Sequence, residues 1–185
     1  LSRPSGSLVF ASRSTLTVDR SVFRNNETHN GVGRGLFQAS IAELNVLNST
    51  FTNNLGGAVH YNGDAYGSIH HSTFARNTEP AVFVHPNAEK PVIIANNIFD
   101  GTLDGSPHMF VFNAAKPGTM IFNNLLHPDF IAVESEDNGL IRVPALNSSS
   151  WGRDNLAGMP HTMNPVANDV SLRNNSLAID RASSL

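Results

Sequence analysis

A short pattern of apolar and polar positions is written five times between residues 16 and 129. Aligned on the apolar anchors Phe23, Phe51, Phe74, Phe99 and Leu126, the copies stand 28, 23, 25 and 27 residues apart. Five residues before each anchor comes Val18, Val46, Ile69, Ile94 or Ile121, and seven before it Leu16, Leu44, Gly67, Val92 or Thr119. Positions two apart share one face of a strand, and these residues are mostly β-branched or aliphatic. Each copy therefore predicts a short strand with a buried face.

Polar columns break the apolar ones. Arg20, Asn48, His71, Asn96 and Asn123 stand three before the anchor, and Ser21, Ser49, Ser72, Asn97 and Asn124 two before it. Residues that tolerate a left-handed backbone and bond to nearby main chain predict a sharp bend there, after which the anchor turns inward. Asn26, Asn54, Asn77, Thr102 and Asp129, three beyond the anchor, predict a second bend. Asn side chains stacked in this way can bond to one another along an axis, as they do in cross-β ladders. Another apolar run follows each second bend: Gly35-Leu36-Phe37, Gly57 to Tyr61, Ala81 to Val84, Met109 to Phe112, and Phe130 to Val133. Each repeat thus carries at least two strands. No amphipathic helical stretch of about 10 to 12 residues lies between them, which disfavours a βαβ arrangement. A period in the twenties made of strands and bends predicts a solenoid of stacked coils.

The motifs that carry this period resemble a known family. Phe51-Thr52-Asn53-Asn54 followed by Gly56-Gly57-Ala58-Val59, and Asn96-Asn97-Ile98-Phe99, resemble the repeats of the pectate-lyase-like superfamily. The first copy also resembles the repeats of bacterial polymorphic outer-membrane proteins. The likeness covers about residues 16–135. It implies an all-β chain folded as a right-handed parallel β-helix of about five coils, closed by an irregular C-terminal cap. That fold hosts lyases, hydrolases, epimerases, phage tailspikes and adhesins, so the resemblance speaks to architecture rather than to activity. The expected division is coils over residues 1–137 and a loop-rich cap over 138–185. From Asn138 the period stops and Pro, Gly and Ser accumulate. The end of the chain, through Ser176-Leu177-Ala178-Ile179-Asp180, resembles the closing segment of secreted bacterial β-helix proteins, with Leu177 where their pattern has proline. Solenoid ends expose strand edges, so a cap is physically expected. The first residues read as the continuation of an earlier coil in a longer protein.

Composition narrows the partners. The chain has 185 residues, 40% of them hydrophobic, and lacks the apolar run of about 18 residues that a membrane span would need. A net charge of -3 supplies no basic field for a phosphate backbone, which argues against nucleic acid. Charged residues make up 15%, below the usual quarter, as suits a many-turned β protein. With no Cys there is neither a disulfide framework nor a thiolate metal site.

Several residues are candidates for chemistry. His60, His70, His71 and His85 fall in consecutive coils, but the repeat register sets His60 beside Phe83 and His85 beside Asn62, so no converging metal ligands are expected. A lyase would need a base and a cation to neutralise a carboxylate; Arg76, Lys90 and Arg142 could serve, with Asp64 and Asp100 as Ca²⁺ ligands. Ca²⁺ is thus a possible cofactor, and none is otherwise recognised. A glycoside hydrolase would need two carboxylates in neighbouring coils, and the acids scatter over different registers. Whether the chain is an enzyme stays open. Glycan binding asks for exposed aromatic and flat polar side chains, and Tyr61, Tyr66 and Trp151 are the only Tyr and Trp residues. The candidate carbohydrate contacts are His60, Tyr61, Asp64, Arg76, His85 and Lys90. Against these stand a half-buried strand end for Tyr61 and a cover over the solenoid's end for Trp151. The expected function is that of a secreted or cell-surface solenoid that interacts with a polysaccharide or surface glycan, as the C-terminal part of a larger polysaccharide-binding or polysaccharide-degrading protein. The alternative is a non-catalytic adhesin or structural solenoid that contacts another protein or upstream coils.

Overall fold

A computed structural model describes residues 6–28, 35–85, 90–111, 119–136, 138–160, 162–167 and 169–172. Each coil gives one strand to each of three parallel sheets. The first coil contains β1 (Val9–Ser12), β2 (Thr15–Asp19) and β3 (Val22–Arg24), and the second β4 (Gly35–Ser40), β5 (Glu43–Leu47) and β6 (Thr50–Thr52). The third contains β7 (Gly57–Asn62), β8 (Tyr66–His70) and β9 (Thr73–Asn77), and the fourth β10 (Val82–Val84), β11 (Val92–Ala95) and β12 (Ile98–Thr102). The fifth contains β13 (Met109–Val111), β14 (Thr119–Phe122) and β15 (Leu125–Leu126). The first sheet runs β1-β4-β7-β10-β13, the second β2-β5-β8-β11-β14 and the third β3-β6-β9-β12-β15. The all-β coiled architecture read from the sequence is therefore the observed one, with three strands per coil.

The corners explain why the chain closes on itself. Between the second and third sheets, Arg20, Asn48, His71, Asn96, Asn123 and Asp154 all adopt a left-handed backbone, with φ between 47° and 58°. At the ends of the third-sheet strands Asn25, Asn53, Arg76 and Gly101 do the same. One residue with positive φ reverses the strand direction within a step, and short polar residues pay least for it. Behind each corner a side chain ties the coils together. The backbone N–H of Ser72 donates to Asn97 Oδ1 (2.9 Å), that of Asn97 to Asn124 Oδ1 (3.0 Å), and that of Asn124 to Asn155 Oδ1 (3.1 Å). Asn26, Asn54 and Asn77 form a second ladder of the same kind.

Inside, the anchors stack face to face. Phe23, Phe51, Phe74 and Phe99 lie with ring centroids 5.1, 5.1 and 5.0 Å apart, and Leu126 continues the column. Stacked coils bury such apolar columns behind every sheet, and that is where the hydrophobic stabilisation comes from. Tyr61 breaks the evenness of the interior. Its hydroxyl donates to Leu44 O at 2.9 Å, and Leu44 pairs with Gly67, an inward position of the second sheet without a side chain. A Cβ on Gly67 would lie 2.1 Å from Leu44 O, so the glycine is required by close packing.

Strand pairing continues beyond residue 137, the expected end of the coils. A sixth, irregular coil has β16 (Val133–Ser135) on the first sheet, an antiparallel β17 (Gly139–Ile141), a one-turn helix α1 (Val143–Asn147), then β18 (Gly152–Arg153) and β19 (Leu156–Ala157) on the other two. Ala157 and Gly152 occupy positions held by Leu126 and Ile121 one coil earlier, which hides the repeat in the sequence. At Gly152 the space is taken by α1: Leu146 is fully buried and crowds Gly152 so closely that no Cβ would fit. Trp151 joins this closure and is 8% exposed. A hairpin of β20 (Thr162–Asn164) and β21 (Asp169–Leu172) follows, and the expected closing motif beyond Leu172 lies outside the described residues.

Candidate functional site

Each sheet has an inner face in the core and an outer face, and the three outer faces differ in what covers them. On the first sheet the outer column in register is Phe10, Gln38, His60, Phe83, Phe110 and Glu134. At its middle His60 and Phe83 are only 6% and 7% exposed, packed edge to face at 4.7 Å, with Phe110 stacked on Phe83 at 4.9 Å. On the third sheet Thr52 and Ala75 point outward yet are fully buried. The 3-10 turn Pro165–Ala167 packs against β9, and the Thr162 hydroxyl donates to Asp100 in β12. The C-terminal hairpin thus lies over that sheet.

The second sheet keeps its outer face open. Three columns run along it: Thr15, Glu43 and Tyr66; Thr17, Asn45, Ser68, Ile93 and Met120; and Asp19, Leu47, His70, Ala95, Phe122 and Arg153. Of these only Ala95 is buried. The polar half, on the first three coils, is wired together. The Ser68 hydroxyl donates to Asn45 Oδ1 (2.9 Å), Asn45 Nδ2 donates to Glu43 Oε1 (2.9 Å), and the Thr15 hydroxyl donates to Glu43 Oε2 (3.4 Å). Strands spaced about 4.8 Å apart turn these side chains into a flat, evenly spaced row of donors and acceptors. Beside the row stands the half-buried ring of Tyr66, with Lys90 Nζ 4.0 Å from its centroid. Further along, the Arg153 guanidinium lies 5.2 Å over Phe122. His70 has its pKa held below the usual imidazole value by partial burial and by neighbouring His71, against a backbone hydrogen bond to Ala95.

The six candidate contacts do not converge. Asp64, in the exposed turn before β8, and exposed Lys90 lie at the margin of the open face. His60 faces outward on the first sheet under cover, and His85 follows β10 on the same sheet, its backbone N–H bonded to Tyr61 O. Arg76 holds a corner, its Nε donating to Asn53 Oδ1 at 3.2 Å. Tyr61 is a correction: at 1% exposure it is part of the core, burial raises its hydroxyl pKa far above the usual value, and no sugar can stack on it. Missing from the candidates are Glu43, Asn45, Tyr66 and Ser68, and the signal that could have found them is plain alternation. Leu44 and Gly67 point inward, so residues 43, 45, 66 and 68 must point out.

Chemically this face can hold and orient a polar ligand. Its carboxylates, Asp19 and Glu43, stand in different columns, and among the described residues no three His, Cys, Asp or Glu side chains gather to bind a metal ion. Glu79, whose pKa is raised by burial and by Asp104, lies elsewhere. A family model described as a right handed beta helix region matches residues 5–141. Neither a curated protein nor a solved structure gives a significant match.

Proposed function

The chain belongs to the right handed beta helix family, and on that premise we propose that it is a secreted or cell-surface protein that holds an extended carbohydrate along the outer face of its second sheet. The observation that carries this reading is the row from Ser68 through Asn45 and Glu43 to Thr15, set beside the Tyr66 ring on the outer face that stays open among the described residues. A saccharide offers hydroxyls at regular intervals and apolar ring faces between them, and this face offers the complement of both. The arrangement favours binding over turnover, since acid and base do not meet on it.

A glycan array probed with the 185-residue chain, with and without Ca²⁺, tests the proposal. Selective retention of one polymer is the expected result, and Asn45→Ala, which unties both Ser68 and Glu43, should weaken it about five- to tenfold. A blank array from folded protein would sink it. A second reading, contact with another protein segment or with upstream coils, is favoured by the other end of the molecule. There β1, β2 and β3 are edge strands, and Leu8, Phe10 and Val22 are 58%, 58% and 66% exposed.

A further inference from the structure

We infer that the sugar held at Tyr66 carries an amine, and that Lys90 occupies the place of its ammonium group in the unliganded protein. This deepens the carbohydrate proposal and rests on it. The Tyr66 ring already hosts a cation: Lys90 Nζ sits 4.0 Å from the centroid although the side chain is exposed and free to point into water. The ring quadrupole draws a strongly hydrated ammonium onto its face, and neighbouring negative charge strengthens the field that favours it there. Two carboxylates supply that field. Glu43 is the register neighbour of Tyr66 on the adjacent strand, about 4.8 Å away along the sheet. Its two oxygens accept from Asn45 and Thr15, which fixes the carboxylate on the same face as the ring. Asp64 precedes Tyr66 by two residues in an exposed turn.

The same field selects among sugars. A uronic acid would bring a carboxylate toward Glu43 and Asp64, with Lys90 as the opposing charge at the ring. An N-acetylated sugar brings no charge to the ring. An amino sugar with a free ammonium displaces Lys90 into water, takes its position over Tyr66, and lays its remaining hydroxyls on the row of Glu43, Asn45 and Ser68. Lys90 is then a tethered competitor, and removing it strengthens binding. A site for acidic glycans would respond in the opposite sense, because Lys90 would there be the contact.

The test is calorimetric titration with three oligomers of matched length: β-1,4-linked glucosamine, its fully N-acetylated form, and oligogalacturonate. The glucosamine oligomer should bind best. Lys90→Ala should tighten it about two- to fivefold, the factor expected for one exposed cation–π contact. Tyr66→Leu, which keeps apolar cover but removes the ring face, and Glu43→Gln should each weaken it, with unchanged thermal melting showing that the fold is intact. Preferential binding of the acetylated or acidic oligomer, or a Lys90→Ala variant that binds glucosamine no more tightly, would overturn the amine assignment while leaving carbohydrate binding standing. No binding of any oligomer, together with a blank array, would remove both.

Discussion

At the scale of single residues, His108 shows how the interior sets protonation. It is 1% exposed and lies between the rings of Phe99 and Phe130, with centroids 5.7 and 5.6 Å away, while Nε2 is 3.4 Å from His127 O. Burial drives its pKa from 6.5 down to about 4, outweighing the backbone bond to His127, which raises it. The unfolded chain takes up this proton near the ordinary value and the folded chain does not. Stability from the neutral imidazole is therefore full above pH 6.5, falls as the pH drops, and stops falling near pH 4, where the folded state protonates too. The span corresponds to about 3 kcal/mol. Urea unfolding across that range should give a markedly flatter pH profile for His108→Gln than for the parent chain, and parallel profiles would rule the assignment out. Residue-scale reasoning from sequence also has a sharp limit at His60 and Tyr61. Adjacent strand residues face opposite ways, so at most one of the two could reach a ligand. Tyr61 shares its column with Ala39 and Val84, which marks it as the inward one. Nothing local foretold that His60, facing out, would be covered.

At the scale of the element, the corners were the most legible part of the chain. The columns at Asn48, His71, Asn96 and Asn123 fall on left-handed residues, because few side chains tolerate that backbone and the sequence must supply one at every turn. Directly behind them the ladder makes a quantitative demand. Asn124 accepts from the backbone and side chain of Asn97, and its Nδ2 lies within bonding distance of Ile94 O and Asn155 Oδ1, all in buried surroundings. Asn124→Ala would strand the Asn97 N–H and the Ile94 carbonyl without water. A loss of about 3 kcal/mol is expected, read from denaturant midpoints at an unchanged m value. A loss below about 1 kcal/mol would mean that the ladder is dispensable. The sixth coil escaped the sequence for a related reason: Asp154-Asn155 keeps the corner, but Gly152 yields its volume to Leu146 of α1 and Ala157 stands exposed in register with Leu126, so the apolar half of the pattern disappears.

At the scale of the molecule, which outer face stays open depends on contacts between segments far apart in sequence, and no local pattern encodes them. Thr162 meets Asp100 across 62 residues, and this contact, together with the packing of the 3-10 turn Pro165–Ala167 on β9, takes the third sheet. The same long-range order makes the stability uneven from end to end. In a stack where each coil touches only its neighbours, local opening costs the sum of the two interfaces that a coil makes. Among the described residues the first coil has one strand interface, and its inward residues Leu16 and Phe23 are only partly buried. At the far end β17, α1 and Trp151 close the core, and Asn147 bonds both Asn155 N and Asn155 Nδ2. Native-state hydrogen exchange should therefore rank the amides of β2 and β3 fastest, those of β18 and β19 slower, and those of β8, β9, β11 and β12 slowest. Protection in the first coil equal to that of the third would mean that its free edge is occupied in solution, by another molecule or by chain that folds over it. Such an edge partner would favour the protein-contact reading over the glycan one.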